Sequence, residues 1–259
     1  MILLETEALT RAYGGVVAVN KVDFVVESGL ITGLIGPNGA GKTTLFNNMT
    51  GLDVPSSGKV FFNKKNITGL PAHTICRMGI ARTFQNIRLF KELTVVENVM
   101  IGRHFKTGKS ETKGRFLNAI NSYVHMKQEE EQIYEKACDW LDFFGMASMK
   151  NELAKNLPYG RQRELEIARA LATDPKLLFL DEPAAGMNPQ ETDHLMATIR
   201  KIRDLDITVV LIEHDMKLVM NICDTITVLN YGQKLAQGTP REIKHNPSVI
   251  EAYLGKEEE

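Results

Sequence analysis

The run Leu30-Ile31-Thr32-Gly33-Leu34-Ile35-Gly36-Pro37-Asn38-Gly39-Ala40-Gly41-Lys42-Thr43 narrows the possible folds of this chain more than any other stretch. Residues 36–43 fit G-x-x-x-x-G-K-[ST]; Leu30 to Ile35 enters them as a buried strand, and Thr43 to Met49 leaves them as a helix. Gly36, Gly39 and Gly41 allow the tight turn that aims several N–H groups at one anion, and the helix adds its positive end. Lys42 would reach the β- and γ-phosphates, Thr43 would offer its hydroxyl to Mg²⁺, and Thr44 would add a bond to a phosphate oxygen. With Asn38 and Ala40, these residues read as a nucleoside triphosphate site.

At 259 residues the chain can bury a sizeable core, and it suits one domain with an appended lobe or two small domains. A formal charge of −1 argues against bulk attraction to nucleic acid or anionic lipid, so partners are expected to be recognised by shape. Cys76, Cys138 and Cys223 are far apart, odd in number and without ligand spacing, which points to reduced thiols. Apolar runs such as Ile207 to Ile212 are strand-length, well short of the ~20 residues that cross a bilayer. If the protein works at a membrane, another chain must hold it there.

The chain opens with loosely alternating and β-branched stretches, Leu3 to Leu9 and Val16 to Val26, that read as antiparallel strands. Between them Tyr13 precedes Gly14-Gly15, where its ring either stacks on a purine or packs on the sheet. A turn at Pro55 to Gly58, a short strand at Lys59 to Phe62 and a helix at Pro71 to Met78 lead to a strand at Gly79 to Phe84. That strand ends at Gln85, a position where α/β proteins place ligand-facing side chains, although a lone Gln is also ordinary polar surface.

From Leu93 to Lys155 helix formers and charges dominate, which suggests a helical lobe inserted between core strands. It contains a capping box at Thr94 to Glu97, a polar turn-rich segment at Lys106 to Gly114, and a helix at Phe116 to Phe144 with Ala137, Trp140, Leu141 and Phe144 on one face. A helix at Arg163 to Leu171 precedes Leu177-Leu178-Phe179-Leu180, an apolar run typical of a parallel strand covered on both faces. Asn188-Pro189-Gln190-Glu191 caps a helix expected to reach Arg203. Ile207 to Ile212 is another buried strand; a hairpin at Tyr231-Gly232, one capped helix from Thr239 to Leu254 and a frayed Lys-Glu-Glu-Glu end follow.

Three strand ends thus converge on the glycine loop with groups suited to phosphoryl transfer to water. Asp181 would hold the Mg²⁺ water shell, since an anion after a buried strand is costly unless it meets a cation. Glu182 is the better general base for an attacking water. His214 stands where it would bond the γ-phosphate, its alternative being a satisfied structural histidine. No Asn-Lys-x-Asp segment follows the core strands to read guanine, so ATP is the expected nucleotide.

Residues 36–43, Gln85, 157–162, 177–182, 186–189 and His214 together resemble the ordered motif set of the nucleotide-binding subunits of ATP-binding-cassette (ABC) proteins, over essentially the whole chain. The wording of residues 98–104, 183–189, 212–220 and 252–255 is similar to the ATPase subunits of high-affinity branched-chain amino acid importers. The resemblance implies an α/β fold: a P-loop NTPase core of ABC type, with an N-terminal antiparallel β subdomain and an inserted helical subdomain. Residues 1–92 and 163–259 would form the nucleotide-binding core, and 93–162 the helical subdomain with the signature loop.

It further implies that Tyr13 stacks on adenine and Gln85 links Mg²⁺ and water to the transport channel, and that Thr43, Gln85 and Asp181 handle the metal. Lys42, Gln85, Glu182 and His214 become the catalytic set. Leu157, Pro158, Tyr159, Gly160 and Arg161 would close over the nucleotide of a second ATPase subunit, identical or sibling. The other implied partners are two transmembrane permease subunits and, indirectly, a solute-binding protein, at the cytoplasmic face of the cell membrane, with no nucleic acid.

The family signature usually reads Leu-Ser-Gly-Gly-Gln, and Pro158 here removes a hydroxyl that would bond the opposite γ-phosphate. Helix-end N–H groups and Arg161 are expected to take over that contact, at some cost in turnover. Two other readings are a soluble non-transport ABC ATPase and an importer ATPase for urea or other amino acids. The absence of a second cassette or a basic run weighs against the former. A module that binds without hydrolysing is disfavoured by Glu182 and His214.

Overall fold

The computed structural model describes residues 1–107 and 119–254. The part of the expected turn-rich segment beyond 107, the first residues of the Phe116 helix and the Lys-Glu-Glu-Glu end lie outside them. The chain forms two compact units, one of residues 1–85 with the chain from 176 onward, the other of residues 86–175.

The first unit begins with β1 (Ile2–Tyr13), β2 (Val16–Val22), β3 (Val25–Glu27), β4 (Ile31–Ile35), α1 (Lys42–Met49), β5 (Ser57–Phe62), β6 (Lys65–Asn66), α2 (Ala72–Met78) and β7 (Ile80–Arg82). The second unit supplies α3 (Val95–Thr107), α4 (Ala119–Phe143) and α5 (Tyr159–Leu171). The chain then returns with β8 (Leu177–Asp181), α6 (Pro189–Asp204), β9 (Thr208–Ile212), α7 (Met216–Ile222), β10 (Thr225–Asn230), β11 (Gln233–Gly238), α8 (Pro240–Lys244) and α9 (Pro247–Leu254).

In the first unit β1 runs antiparallel to β2, β3 and β5, with the edge order β2-β1-β5-β6. The second sheet has the order β11-β10-β4-β9-β8-β7, and all its neighbours are parallel except the β10–β11 hairpin. Every residue of β4, β8 and β9 is buried, which explains their largely apolar sequences: both faces of a parallel sheet must be covered. Between the sheets lies a core in which Phe46 meets Phe179 edge to face, ring centres 4.9 Å apart.

The register places the functional strand ends side by side. Leu34 pairs with Ile212, Ile212 with Asp181, and Phe179 with Arg82, so the carboxyl ends of β4, β9, β8 and β7 line one edge. The chain from β4 goes on to β7 on one side, and that from its neighbour β9 crosses to β10 on the other, which makes this edge the switch point where open α/β sheets bind ligand.

Three local differences from the sequence reading have simple causes. The β7 strand is shorter than expected, Ile80–Arg82; Thr83 N–H still bonds Phe179 O, and the chain then leaves the sheet. Helix α5 starts at Tyr159, because the fixed φ of Pro158 (−54°) with ψ 153° makes it an N-cap. The expected single terminal helix is two, because Pro247 lacks an N–H and Asn246 restarts the helix by accepting from Ser248 N–H (3.0 Å) and Val249 N–H (3.3 Å).

Within the second unit, Ala137, Leu141 and Phe144 are buried and Trp140 is half-buried. Gly102 lets α3 and α5 approach: a Cβ there would lie 2.2 Å from Arg169 O. The buried Asn98 side chain accepts from Phe90 N–H (2.9 Å) and donates to Phe90 O (3.0 Å) and Thr94 O (2.9 Å), pinning the loop that leads into α3. The Thr94–Glu97, Asn188–Glu191 and Thr239–Glu242 capping boxes all form.

Candidate active site

The glycine loop between β4 and α1 is wedged against the backbone of both sheets. A Cβ on Gly36 (φ 151°) would lie 2.2 Å from Leu229 O, and one on Gly41 (φ 96°) 2.3 Å from Ala18 O, so neither position accepts a side chain. The β10–β11 turn adds a third tether, since Gly232 N–H donates to Ala40 O (3.1 Å) and Gly232 O accepts from Asn20 N–H (2.7 Å). Asn38 and Gly39, at the tip, are exposed.

Gly41 offers α1 no side-chain cap and its first turn contains no acid; Leu45 N–H bonds Gly41 O (2.9 Å). The preceding N–H groups, of Lys42, Thr43 and Thr44, therefore have no helical carbonyl to meet, which suits a polyphosphate. Lys42 Nζ curls back over the loop, donating to Gly36 O (2.7 Å) and Pro37 O (3.0 Å). Burial lowers the pKa of its ammonium, opposed by the charges of Glu182 and Asp181.

Asp181 ends β8 as a buried carboxylate, and its cation here is Arg82 of β7, at 2.7 Å, with side-chain exposures of 5% and 7%. Arg82 also donates to Asn47 Oδ1 (2.7 Å) and Thr50 Oγ1 (3.0 Å) on the loop helix, and it lies over the rings of Phe46 and Phe84. It ties together the loop helix, β7 and β8, a role the sequence reading missed. The only local signal was a charged residue inside the short strand before Gln85.

Glu182 follows with φ +47°, a left-handed conformation rare outside glycine. Its N–H bonds Ile212 O at the end of β9 (3.0 Å), and its side chain accepts from Gln85 Nε2 (2.8 Å). His214 Nδ1 lies 3.8 Å from the same Glu182 oxygen, and the ring is largely exposed. Two fixed neighbours hold His214: Asp215 caps α7 by accepting from Lys217 N–H and Leu218 N–H, and Glu213 is a buried carboxylate. The structure thus brings Lys42, Gln85, Asp181, Glu182 and His214 to one edge of the parallel sheet.

Tyr13 lies at the β1–β2 hairpin, half exposed; its hydroxyl bonds Asp53, and the Arg11 guanidinium covers one ring face at 4.4 Å. In the second unit, Leu157 is buried and Pro158 caps α5 with no side-chain acceptor, so the first N–H groups of that helix also have no intrahelical partner. Tyr159 is exposed and Gly160 buried. Arg161 is engaged at home, donating to Glu164 (2.7 Å) and Phe144 O (3.0 Å).

Among the described residues no cluster of three His, Cys, Asp or Glu side chains could hold a metal by itself. The expected Mg²⁺ donors, Thr43, Gln85 and Asp181, are one hydroxyl, one amide and one carboxylate, all hard oxygens. Such an incomplete set fits an ion that arrives with phosphate oxygens as its remaining ligands. No described helix is long and apolar enough to cross a membrane.

Comparison with known proteins agrees with this architecture. The ABC transporter family model matches residues 19–185, and that of the branched-chain amino acid ATP-binding cassette transporters matches residues 233–259. The high-affinity branched-chain amino acid transport ATP-binding protein BraF of Pseudomonas aeruginosa is 48% identical over 98% of both chains. LivG of Escherichia coli, which carries the same description, is 45% identical over 98% of both. The crystal structure of the ADP conformation of MJ1267, an ATP-binding cassette of an ABC transporter, superposes with a TM-score of 0.85 at 34% identity, covering 99% of this chain and 100% of that one. A P-loop NTPase core with an N-terminal β subdomain and a helical insertion, matched over nearly its full length, assigns this chain to the ABC transporter ATPases, in the group of branched-chain amino acid ATP-binding subunits.

Proposed function

We propose that this chain hydrolyses ATP to power import of branched-chain amino acids through two permease subunits, working with a second ATPase subunit and a solute-binding protein at the cytoplasmic face of the membrane. The description of BraF and LivG as high-affinity branched-chain amino acid transport ATP-binding proteins supports the cargo, and the family resemblance supports the partners. The observation that carries the chemistry is the meeting of Lys42, Asp181, Glu182, Gln85 and His214 at the carboxyl edge of one parallel sheet.

In this reading the loop N–H groups, Lys42 and Thr44 bind the phosphates, and Tyr13 offers its ring to adenine. Thr43, Gln85 and Asp181 are the residues to hold Mg²⁺, which when bound neutralises charge on the phosphate oxygens. Glu182 takes a proton from the water that attacks the γ-phosphorus; the bond to the bridging oxygen breaks, and ADP leaves with that electron pair. His214 donates to the γ-phosphate and registers its loss. Leu157 to Arg161 meets the nucleotide of the second ATPase subunit through the uncapped start of α5. The segment after Gln85 and the helical unit dock on the permeases.

ATP turnover in the wild type and in Glu182→Gln tests the chemistry. A drop of about 10²-fold or more is expected for loss of a general base, and equal rates in the two proteins would overturn the reading. ATP-dependent leucine uptake by vesicles reconstituted with the complex purified from native membrane tests the cargo, and ATP turnover without leucine uptake would overturn it.

A further inference from the structure

The buried carboxylate of Glu213 takes no direct part in the chemistry described above, yet it touches both segments that carry it. One oxygen, Oε1, accepts from Ala184 N–H at 2.9 Å, two residues beyond Glu182. The other, Oε2, accepts from His214 N–H at 3.1 Å and, at 3.5 Å, from Asp215 N–H. Its side chain is only 1% exposed, and the His214 ring nitrogen Nδ1 lies 3.9 Å from Oε2. Burial pushes its carboxyl above the ordinary carboxylate range against the opposing pull of those N–H donors.

A charge placed there costs stability that an apolar residue would not, and its position indicates what it secures. Glu182 sits in a strained left-handed conformation, which persists only where its surroundings over-determine it. Two bonds from the end of β9 do so: Ile212 O takes the N–H of Glu182, and Glu213 takes the N–H of Ala184. The turn closes on itself through Ala185 N–H to Glu182 O (3.2 Å) and Met187 N–H to Ala184 O (3.0 Å).

We infer that Glu213 is a positioning residue: its two carboxylate oxygens set the turn that carries Glu182 and the backbone of His214 in one fixed relation. The inference rests on the catalytic reading of Glu182 and His214. Gln at this position keeps the size but replaces one acceptor by an NH₂ facing a backbone donor, so half of the clamp is lost. Asp keeps the charge but withdraws it by one methylene, so it cannot span both segments.

The test uses the full chain with Glu213→Gln and Glu213→Asp, and Glu182→Gln as control. Because the glycine loop is untouched, KM for ATP should stay within about threefold while kcat falls by up to about 10²-fold, the cost of a misplacement near 1 Å. In the nucleotide-free protein, hydrogen exchange at the Ala184 and His214 amides should accelerate at least tenfold, while Val210 and Leu211 in β9 stay protected. Unchanged kcat in both variants, or loss of protection throughout β9 together with Ala184, would overturn the proposal. If Glu182→Gln itself leaves hydrolysis intact, the catalytic reading fails; if it abolishes hydrolysis while both Glu213 variants turn over normally, only the positioning role fails.

Discussion

Replacing Arg82 by Met removes the cation from an ion pair whose members are 7% and 5% exposed. Taking one partner from a buried pair costs about 3–5 kcal/mol, because the remaining charge is left in a poorly solvated site. The bonds to Asn47 and Thr50 are lost as well, but the Thr50 hydroxyl keeps its bond to Phe46 O (2.7 Å), and Met can fill the space beside the Phe46 and Phe84 rings. A net loss of about 3–5 kcal/mol is therefore expected, which lowers Tm by roughly 10 °C at about 2–4 °C per kcal/mol for a domain of this size.

The assay is urea and thermal unfolding of the nucleotide-free protein, repeated in an Asp181→Asn background. There no carboxylate remains to be orphaned, so Arg82→Met should cost less, with a coupling of about 2 kcal/mol or more. A loss under about 1 kcal/mol, or an equal loss in both backgrounds, would show that the pair does not act as described.

Two further outcomes are expected. Asn98→Ala leaves the backbone of Phe90 without its partners and should cost about 2–3 kcal/mol in urea unfolding, with faster hydrogen exchange at Phe90. The Glu97 carboxyl is held below the ordinary carboxylate range by the Thr94 hydroxyl and backbone N–H. In an NMR titration Thr94→Val should raise its midpoint toward the ordinary value. Because the folded pKa is the depressed one, the contribution of this box to stability is present above the unfolded pKa near 4.5 and fades as pH falls through the folded value.

The elements built from local pattern were legible. Leu177 to Leu180 and Ile207 to Ile212 announced parallel strands because a sheet covered on both faces leaves no room for polar residues. Thr94, Asn188 and Thr239 marked helix starts because a cap is satisfied within three residues of itself. What escaped were pairings across long stretches of chain: Arg82 with Asp181, Glu213 with Ala184, and Tyr13 with Asp53. No periodicity encodes them, since each partner lies on a different segment and only the folded chain brings them together. The motif gave Asp181 a metal as its cation, and the fold adds a guanidinium beside it that the motif did not announce. Arg161 also donates to Glu164, a partner three residues along the same helix.

The carbonyls of Ala18 and Leu229 pressed against Gly41 and Gly36 mean that the cradle for the triphosphate is finished when the protein folds. Its shape is dictated by strands that have no business with the ligand. Little ordering is left for the moment of capture, so association should be quick and carry a small entropic penalty. Whatever response the nucleotide provokes must begin in side chains such as Lys42, whose ammonium now bonds the loop carbonyls and feels the charges of Glu182 and Asp181, while the turn beneath it stays still.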